Sequence, residues 1–357
     1  MSDGRKNIRH RLKFIVLLLS ICLLFNEWII YHILPLIKWP KLSKLPLSGD
    51  ELKILLIGDP QLLGDYFTGS SLLGHISQWD SDRFVQKTFN LALNHIQPDI
   101  IILLGDNLDE GEIASDQKYK KYINRFLNIF SQLDFNKVII IPGDNDIGGE
   151  NGDALSDKID RFDSYFKKDV FINVKFAEFV KVNYLTRSSE YEITPKLIPG
   201  KIRIILSHVP LTPIPSYYVK KVLSFVQPHL IFSAHEHISM HIVSDRYTQA
   251  SVSTIPTFNE RGTLERINLT NDCTHEILVP TCSYRMGTEK MGYGMAILYP
   301  NGALYYSVLW LPSRLKQLYF YLGLGLTCLL LLLPLAIWKP IDRWTERISS
   351  LFSPRQR

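Results

Sequence analysis

The sequence has few cysteines, little net charge, and no internal repeat or low-complexity tract. Its 357 residues include four cysteines and carry a formal net charge of +5. Lysine and arginine crowd the two ends instead of forming one basic block, so we expect no nucleic-acid partner. Cys273 and Cys282 lie nine positions apart, and in an oxidising compartment they would either form a local disulfide or stay free thiols. The length allows one large domain or two small ones.

Two long apolar segments near the ends predict membrane anchors. The first covers residues 14–37 and includes Glu27, whereas the second covers residues 318–338 and has no charged residue. A helix needs about 20 apolar residues to cross a bilayer, so the second segment fits. The first fits if Glu27 lies near an interface, because a carboxylate at mid-membrane is costly. No small-residue cleavage site follows the first segment, which favours an uncleaved anchor over a signal peptide.

The charges outside the anchors predict their orientation. Residues 1–13 and 339–357 are richer in lysine and arginine than the inner flanks. By the positive-inside rule, both of these basic tails are cytosolic and residues 45–312 form a lumenal domain. Asn268 begins an Asn-Leu-Thr sequon, which would make the chain a glycoprotein in the secretory lumen. We therefore expect a multi-pass membrane protein.

Five short apolar runs organise the region between the anchors, and each is followed at once by polar residues. Runs of Ile and Val of this length predict buried strands, and stretches with helical spacing lie between several of them. The predicted strands are residues 53–57, 100–104, 138–141, 202–206 and 230–232, and the predicted helices include residues 82–96, 118–133 and 217–226. This alternation predicts an α/β fold.

The polar residues after these strands include good metal ligands. One such strand end is usually a simple turn, but five in order indicate a shared site at the carboxyl ends of the strands. The candidates are Asp59, Asp106, Asp144, His208, His235 and His237. Carboxylates with imidazoles suit two divalent metals, among them manganese, iron and zinc. His235 and His237 both face one site only if the backbone turns between them.

The order of these motifs resembles the calcineurin-like metallophosphoesterases over residues 52–240. The motifs are Asp59-Pro60-Gln61, Gly105-Asp106, Gly143-Asp144-Asn145-Asp146, His208 and Ala234-His235-Glu236-His237. The stretch from Leu104 to Gly111 looks like the membrane-bound metallophosphoesterase 1 group, which includes the post-GPI-attachment factor and its yeast cell-division-control relatives. The resemblance implies a four-layer α/β/β/α sandwich flanked by two transmembrane helices, in the endoplasmic reticulum or Golgi membrane. It also implies two manganese ions and removal of ethanolamine phosphate from the mannose of GPI anchors, so that the partners are GPI-anchored proteins and the bilayer.

The resemblance also implies a role for each matching residue. Asp59 and His237 would bind the first metal, His208 and His235 the second, and Asp106 would bridge both. Asp144 stands at the place of the family's asparagine ligand to the second metal, and Gln61 stands at the place of a histidine ligand.

Three positions depart from the family pattern. Gln61 is a weaker ligand than histidine, and Ala234 replaces a glycine. Asn145 replaces the histidine that protonates the leaving oxygen, and general acid help of this kind is worth about 10²–10⁴-fold in rate. His75 is a candidate to supply that proton, with a structural role as the alternative, and Asp146 matches the family's catalytic aspartate.

Three functions remain open on the sequence alone. The chain is a phosphodiesterase acting on a membrane phosphoglycolipid, a catalytically impaired lumenal binding or cargo-handling protein, or a phosphatase for soluble or protein monoesters. Tyr284 and Arg285 either contact a phosphate or form a surface turn, and His229 and His241 are expected to be structural or exposed. An aromatic loop over residues 65–79 is expected to shape substrate entry.

Overall fold

A computed structural model describes residues 2–330 except residues 70, 151, 167, 189–199 and 256–262, and it also describes residue 332. The chain divides into two compact units. The first unit contains residues 1–33 and 313–357, and the second contains residues 34–312.

The elements alternate along the chain as the apolar runs predict. The helices are α1 (Ser2–Leu24), α2 (Ile30–Lys38), α3 (Asp65–Thr68), α4 (Leu72–Ile96), α5 (Asp116–Ile129), α6 (Asp144–Ile147), α7 (Ser156–Tyr165) and α8 (Tyr217–Val226). The strands are β1 (Leu52–Ile57), β2 (Ile100–Leu104), β3 (Val138–Ile141), β4 (Phe171–Val174), β5 (Ala177–Lys181), β6 (Ile202–Leu206), β7 (Leu230–Ser233), β8 (Met240–Asp245), β9 (Ser251–Ile255), β10 (Glu265–Asn268), β11 (Cys273–Leu278), β12 (Gly292–Leu298) and β13 (Ala303–Trp310). All five predicted strands are present, to within one residue at each end.

The strands of the second unit form two sheets. One has the order β10-β13-β12-β1-β2-β3, and the other has the order β4-β5-β6-β7-β11-β8-β9. The strands β1, β2 and β3 are parallel neighbours in the first sheet, and β5, β6 and β7 are parallel neighbours in the second. The predicted strands are therefore divided between two sheets.

Alternate residues of each strand face opposite sides, so the two sheets share one core. Ile54 of β1 and Ile204 of β6 belong to a single buried cluster that includes residues of both sheets. On the other face of the second sheet, Ile205 packs with Val219 and Val222 of α8. Helix α4 contacts β1 of the first sheet. The result is a mixed α/β fold of two packed sheets with helices outside them.

Residues 65–79, predicted to be a loop that shapes substrate entry, are mostly helical, so the prediction of a loop is wrong. Helix α4 begins at Leu72, ten residues before the predicted start, and Ser71 caps it by accepting a hydrogen bond from the amide of Gly74 at 3.1 Å. Such a cap satisfies an amide that the first helical turn leaves unpaired. The apolar residues of this segment are exposed, so it lacked the buried stripe by which the rest of α4 was recognised.

The two cysteines of the second unit are free thiols, as the alternative to a disulfide expected. Cys273 begins β11, and Cys282 lies beyond its other end. A strand rises about 3.3 Å per residue, so β11 alone separates its ends by about 17 Å. A disulfide needs Cα atoms within about 7 Å, and the strand therefore keeps these thiols apart.

The first unit contains apolar helices. A π-helical turn, Phe25–Ile29, follows α1 and leads into α2, which ends in the second unit. The helical segment over residues 9–44 is long and apolar enough to cross a membrane, by length and composition. Glu27 accepts hydrogen bonds from Arg314 at 2.6 Å and from the hydroxyl of Tyr321 at 3.0 Å, so an apolar helix can carry this carboxylate. Residues 314–330 are helical, and most of the rest of the predicted anchor over residues 318–338 lies outside the described residues.

Candidate metal centre

Two groups of acidic and histidine side chains converge at the carboxyl ends of the parallel strands. The groups are Asp59, Asp106 and His237, and Asp144, His208 and His235. Within each group, the potential ligand atoms lie within 4.8 Å of one another. The two groups adjoin, because Nε2 of His208 lies 3.4 Å from Oδ1 of Asp106 and 2.9 Å from Oδ1 of Asp144. All six residues predicted as ligands from strand ends are thus brought together.

The backbone at these strand ends is left-handed, which turns the side chains toward the cluster. A φ between 40° and 66° occurs at five residues of these strand ends: Asp59, Gln61, Asp106, His235 and His237. This conformation costs a residue other than glycine about 1 kcal/mol or more, and such strain persists where the surrounding structure imposes it. The turn that His235 and His237 need in order to face one site is therefore present.

Two side-chain amides flank the Asp106 carboxylate. Gln61 Nε2 donates to Oδ2 of Asp106 at 2.9 Å and lies 3.4 Å from Nε2 of His237. Asn145 Nδ2 donates to the same oxygen at 3.0 Å, and the Asn145 amide nitrogen donates to Oδ1 at 3.0 Å. The two positions that depart most from the family pattern therefore lie inside the cluster.

Asp146 has a different position from its neighbours. Its buried carboxylate accepts four hydrogen bonds, from the amides of Gly143, Asn107 and Leu108 and from the side chain of Asn107, at 2.9–3.1 Å. These bonds join the loops after β2 and β3, so Asp146 positions Asp106 and Asp144. His75 lies exposed on the first turn of α4, and no hydrogen bond links its ring to the cluster within the described part of the chain.

Glycines let the ligand loops approach each other closely. A Cβ atom on Gly143 would overlap the carboxylate and the backbone amide of Asp106. A Cβ atom on Gly105 would lie 2.5 Å from Nδ1 of His208, and Gly105 also has a φ of +97°. The glycines of the Gly-Asp motifs are therefore needed for the contact between the two ligand groups.

Burial and mutual repulsion shift the pKa values of the cluster. Burial raises the pKa of Asp59 to about 6, and burial together with the charges of Asp144 and Asp59 raises that of Asp106 to about 8. Burial opposes the charge on His208, but Asp106, Asp144 and Asp59 outweigh it and raise its pKa to about 10. Asp144 is buried too, yet hydrogen bonds from His208 and His235 hold its pKa below the usual range.

The donor set fits a pair of divalent metal ions. Oδ2 of Asp59 is buried without a hydrogen-bond partner, and an unpaired buried carboxylate oxygen is costly unless a cation neutralises it. Carboxylates mixed with imidazoles suit manganese, iron or zinc. Asp59, Asp106 and His237 would hold one ion, and Asp144, His208 and His235 would hold the other.

Comparison with known proteins identifies the family. The family model for calcineurin-like phosphoesterases matches residues 52–239, more than half of the 357 residues. The chain belongs to the calcineurin-like phosphoesterase family. This phosphoesterase match begins at β1 and ends just before β8, so it includes all six candidate ligands.

Curated relatives of the phosphoesterase region are named Metallophosphoesterase 1. The mouse protein (Mus musculus) is 31% identical over 175 residues, which cover 48% of this chain and 42% of the mouse protein. The Drosophila melanogaster homolog is 28% identical over 171 residues, which cover 47% of this chain and 45% of the fly protein. The chain thus matches about half the length of these relatives. A solved metallophosphoesterase from Sphaerobacter thermophilus aligns with 74% of this chain and 90% of its own at 11% identity, with a TM-score of 0.37.

Sequence reasoning missed Glu110 and Asn107, which hold segments that adjoin the candidate ligands in the chain. Glu110 is buried and accepts hydrogen bonds from the amides of Tyr66 and Phe67, while Asn107 binds the Asp146 carboxylate. Both lie in the stretch from Leu104 to Gly111 that carried the family resemblance, and this was the available signal.

The other candidate residues make structural contacts. Tyr284 is buried and donates to Asp80 at 2.8 Å, whereas Arg285 is exposed beside it. His229 is buried and binds the amide of Arg203 at 3.1 Å, and His241 stacks on His275.

The metal-free protein is expected to lose stability as pH rises, and metal is expected to reverse this trend. Unfolded aspartates release their protons near pH 4, but folded Asp59 and Asp106 keep theirs to about pH 6 and 8, so folding weakens across this window. The raised pKa of His208 adds stability below about pH 6.5 that is lost as pH rises toward 10. Bound metal needs deprotonated ligands, so its stabilisation grows with pH.

Thermal unfolding of chelator-treated protein at about pH 5.5 and about pH 8.5, with and without manganese, measures both effects. We expect a lower metal-free Tm at the higher pH and a larger manganese-induced rise there. The Asp106→Asn variant is the control, since it removes one titrating group and should flatten the metal-free slope. A metal-free Tm that rises over this range would contradict the proposed electrostatics.

Proposed function

We propose that this chain is a metal-dependent phosphodiesterase that acts on a membrane phosphoglycolipid, by removing ethanolamine phosphate from the mannose of GPI anchors. The observation that carries the proposal is the pair of adjoining Asp–His groups within a phosphoesterase domain. The similarity to proteins named Metallophosphoesterase 1 supports phosphoester chemistry. The long apolar helix over residues 9–44 favours a lipid-linked substrate.

The residues of the cluster would have different roles in the reaction. Two metal ions held there would supply positive charge that stabilises the charge developing on the phosphoryl group and would lower the pKa of water. Asp106 lies between the two groups and would hold both ions. Asn145, half-buried beside Asp106, can donate a hydrogen bond to a substrate oxygen but cannot deliver a proton to a leaving group.

A cavity lies beside the second ligand group and could receive part of a substrate. It has a volume of about 260 Å³, and His208 forms part of its wall. Lys181, Asn183 and Thr186 also line it, so it presents hydrogen-bond donors and acceptors next to the metal ligands. Apolar side chains, among them Ile141, Ile147 and Phe162, form much of the remaining wall, so the cavity offers both polar and apolar surface to a bound group.

The proposed topology has two anchors, cytosolic ends and a lumenal phosphoesterase domain in the endoplasmic reticulum or Golgi membrane. Asn268 ends β10 and is exposed, so its sequon is accessible to glycosylation. The helix over residues 314–330 has an apolar sequence that continues to residue 338. These features support the two-anchor arrangement.

Release of ethanolamine phosphate from a GPI glycolipid would test the proposal directly. The purified full-length protein, supplied with manganese in lipid nanodiscs, is incubated with a GPI glycolipid that carries ethanolamine phosphate on a mannose. Mass spectrometry is expected to show loss of that group only when metal is present. If a simple phosphodiester is hydrolysed but the glycolipid is not, the enzyme class stands and the substrate is wrong.

Asn145 favours one alternative, a lumenal binding protein in which catalysis has been lost. In that case neither substrate is hydrolysed, and a variant with both ligand groups disabled still restores cellular function. Faster hydrolysis of soluble monoesters than of diesters would instead indicate a phosphatase.

A further inference from the structure

An exposed apolar patch lies on α3 and the first turns of α4. It consists of Tyr66, Phe67, Leu72, Leu73, Ile76 and Trp79, whose exposed fractions lie between 49% and 78%. Isolated exposed apolar residues are ordinary, but a contiguous patch of this kind marks an interaction surface. Within the described parts of the chain, no segment covers it.

The patch is held rigidly by buried polar groups. The Glu110 carboxylate, 2% exposed, accepts hydrogen bonds from the amides of Tyr66 at 3.0 Å and Phe67 at 2.8 Å. Gln78 Nε2 donates to the carbonyl of Gly64 at 2.9 Å and to the hydroxyl of Thr68 at 2.8 Å. A buried network therefore fixes the backbone that presents the exposed rings, so their exposure is a feature of the folded state.

The chemistry of the patch matches a lipid surface. Tyrosine and tryptophan concentrate at the membrane–water interface, where an apolar ring meets a polar edge. Lys118 and Lys121 of α5 are exposed beside the patch, with Lys121 3.1 Å from the carboxylate of Asp65. Exposed lysines at the border of an apolar surface favour anionic lipid head groups.

Both connections from this unit toward the apolar helices leave near the metal site. Trp39, at the end of α2, donates from Nε1 to the carbonyl of Trp310 at 2.9 Å. Trp310 lies opposite Gly292 of β12 in the sheet. The amide of Gly292 donates to the carbonyl of Thr281, and Thr281 forms a β-bridge with Gly58. Asp59 is the next residue, so the chain enters and leaves this unit at the edge of the first sheet that carries the metal ligands.

The patch lies near that same edge. Helix α3 starts four residues after Gln61, and Glu110, which holds α3, lies four residues after Asp106. The patch, the first ligand group and the two ends of this unit are therefore close together in the fold.

We propose that the apolar patch docks onto the surface of the lipid bilayer and holds the metal-site edge of the domain against the head groups. Insertion of the rings and leucines removes apolar surface from water, and exposed Lys118 at the border would contact anionic head groups, whereas Lys121 pairs with Asp65. The inference concerns where the domain sits and does not depend on which phosphoester it cleaves.

Fluorescence quenching by lipid tests the docking directly. The full-length protein is placed in nanodiscs at one copy per disc, with Cys273→Ser as background, because Cys273 is the one native cysteine that is not buried. Leu73→Cys carries an environment-sensitive fluorophore, and the acyl chains carry bromine. The matched control is Tyr217→Cys on α8, an apolar position that is 85% exposed.

We expect bromolipid quenching at position 73 of about twofold or more and almost none at position 217, because only an inserted side chain meets the acyl region. Equal quenching at both positions, or none at either, overturns the proposal. A blue-shifted emission at position 73 without quenching means that protein covers the patch, which also overturns it.

A second variant removes the patch without touching the metal ligands. The double variant Ile76→Ser with Trp79→Ser changes exposed positions, so it should leave the thermal unfolding midpoint unchanged. The ratio of docked to undocked domain, reported by the fluorophore at position 73, should fall about tenfold or more. Quenching that persists in a folded variant contradicts docking through this patch. Because neither readout requires hydrolysis, a failed activity assay and a failed docking assay are distinguishable.

Discussion

Replacing Asp106 with asparagine is expected to abolish metal-dependent phosphoester hydrolysis, lowering kcat by on the order of 10³-fold or more. The Asp106 carboxylate is the group shared by the two clusters, since it accepts hydrogen bonds from Gln61 and Asn145 and lies 3.4 Å from Nε2 of His208. The asparagine amide keeps the shape but removes the negative charge and one acceptor. Both metal positions would lose their common ligand.

Metal content and rate measured on the same preparation decide this prediction. Elemental analysis should show fewer bound ions in Asp106→Asn than in the unmodified protein. Asp109→Asn is the matched control, because it makes the same chemical change three residues along the same loop and lies outside both ligand groups. Normal hydrolysis by Asp106→Asn would refute the bridging role, and equal losses in both variants would point to damage of the loop.

Replacing Asn145 with histidine is expected to accelerate hydrolysis about 10²-fold for substrates whose leaving group is an alkoxide. Such a leaving group needs a proton, and the asparagine amide N–H is too weakly acidic to supply one. Asn145 already lies at the cluster, with Nδ2 3.0 Å from Oδ2 of Asp106, so a histidine placed there reaches the same region.

The leaving group itself supplies the control for this second prediction. A p-nitrophenyl diester releases p-nitrophenolate, a stable anion that needs no proton. Its hydrolysis should therefore change little in Asn145→His. Equal acceleration of both substrates would mean that the histidine acts through metal binding instead. His75→Ala belongs in the same assay: a selective loss with the alkoxide substrate would assign the proton to His75, although the structure places that residue exposed on α4.

The strands and the positions of the candidate ligands could be predicted because both are local signals. Each buried strand is a short apolar run, and the candidate ligands follow it within two to four residues, as Asp59 follows β1 and His208 follows β6. The division of these strands between two sheets could not be predicted in the same way. It depends on pairings between distant segments, such as β1 with β12, that leave no pattern in either segment alone.

The enclosure of Asp146 by backbone amides could not be predicted from the sequence either. Asp144 and Asp146 are two residues apart and chemically identical, yet Asp144 faces His208 and His235 while Asp146 is enclosed by backbone amides. The start of α4 was missed for a related reason. Its first turns are fixed by Ser71 and by Gln78, and their apolar residues face outward. Helical spacing of apolar residues predicts a helix best when one of its faces is buried, and these first turns have no buried apolar face.

The left-handed backbone of the ligand loops has a consequence for protein engineering. At Asp59, Gln61, Asp106, His235 and His237 the main chain adopts angles that glycine would accept without strain. A redesign that optimises backbone preference alone would replace these residues with glycine and gain up to about 1 kcal/mol at some of them. Selection of variants for heat resistance, without a simultaneous test of metal binding, would therefore tend to remove the candidate metal ligands first.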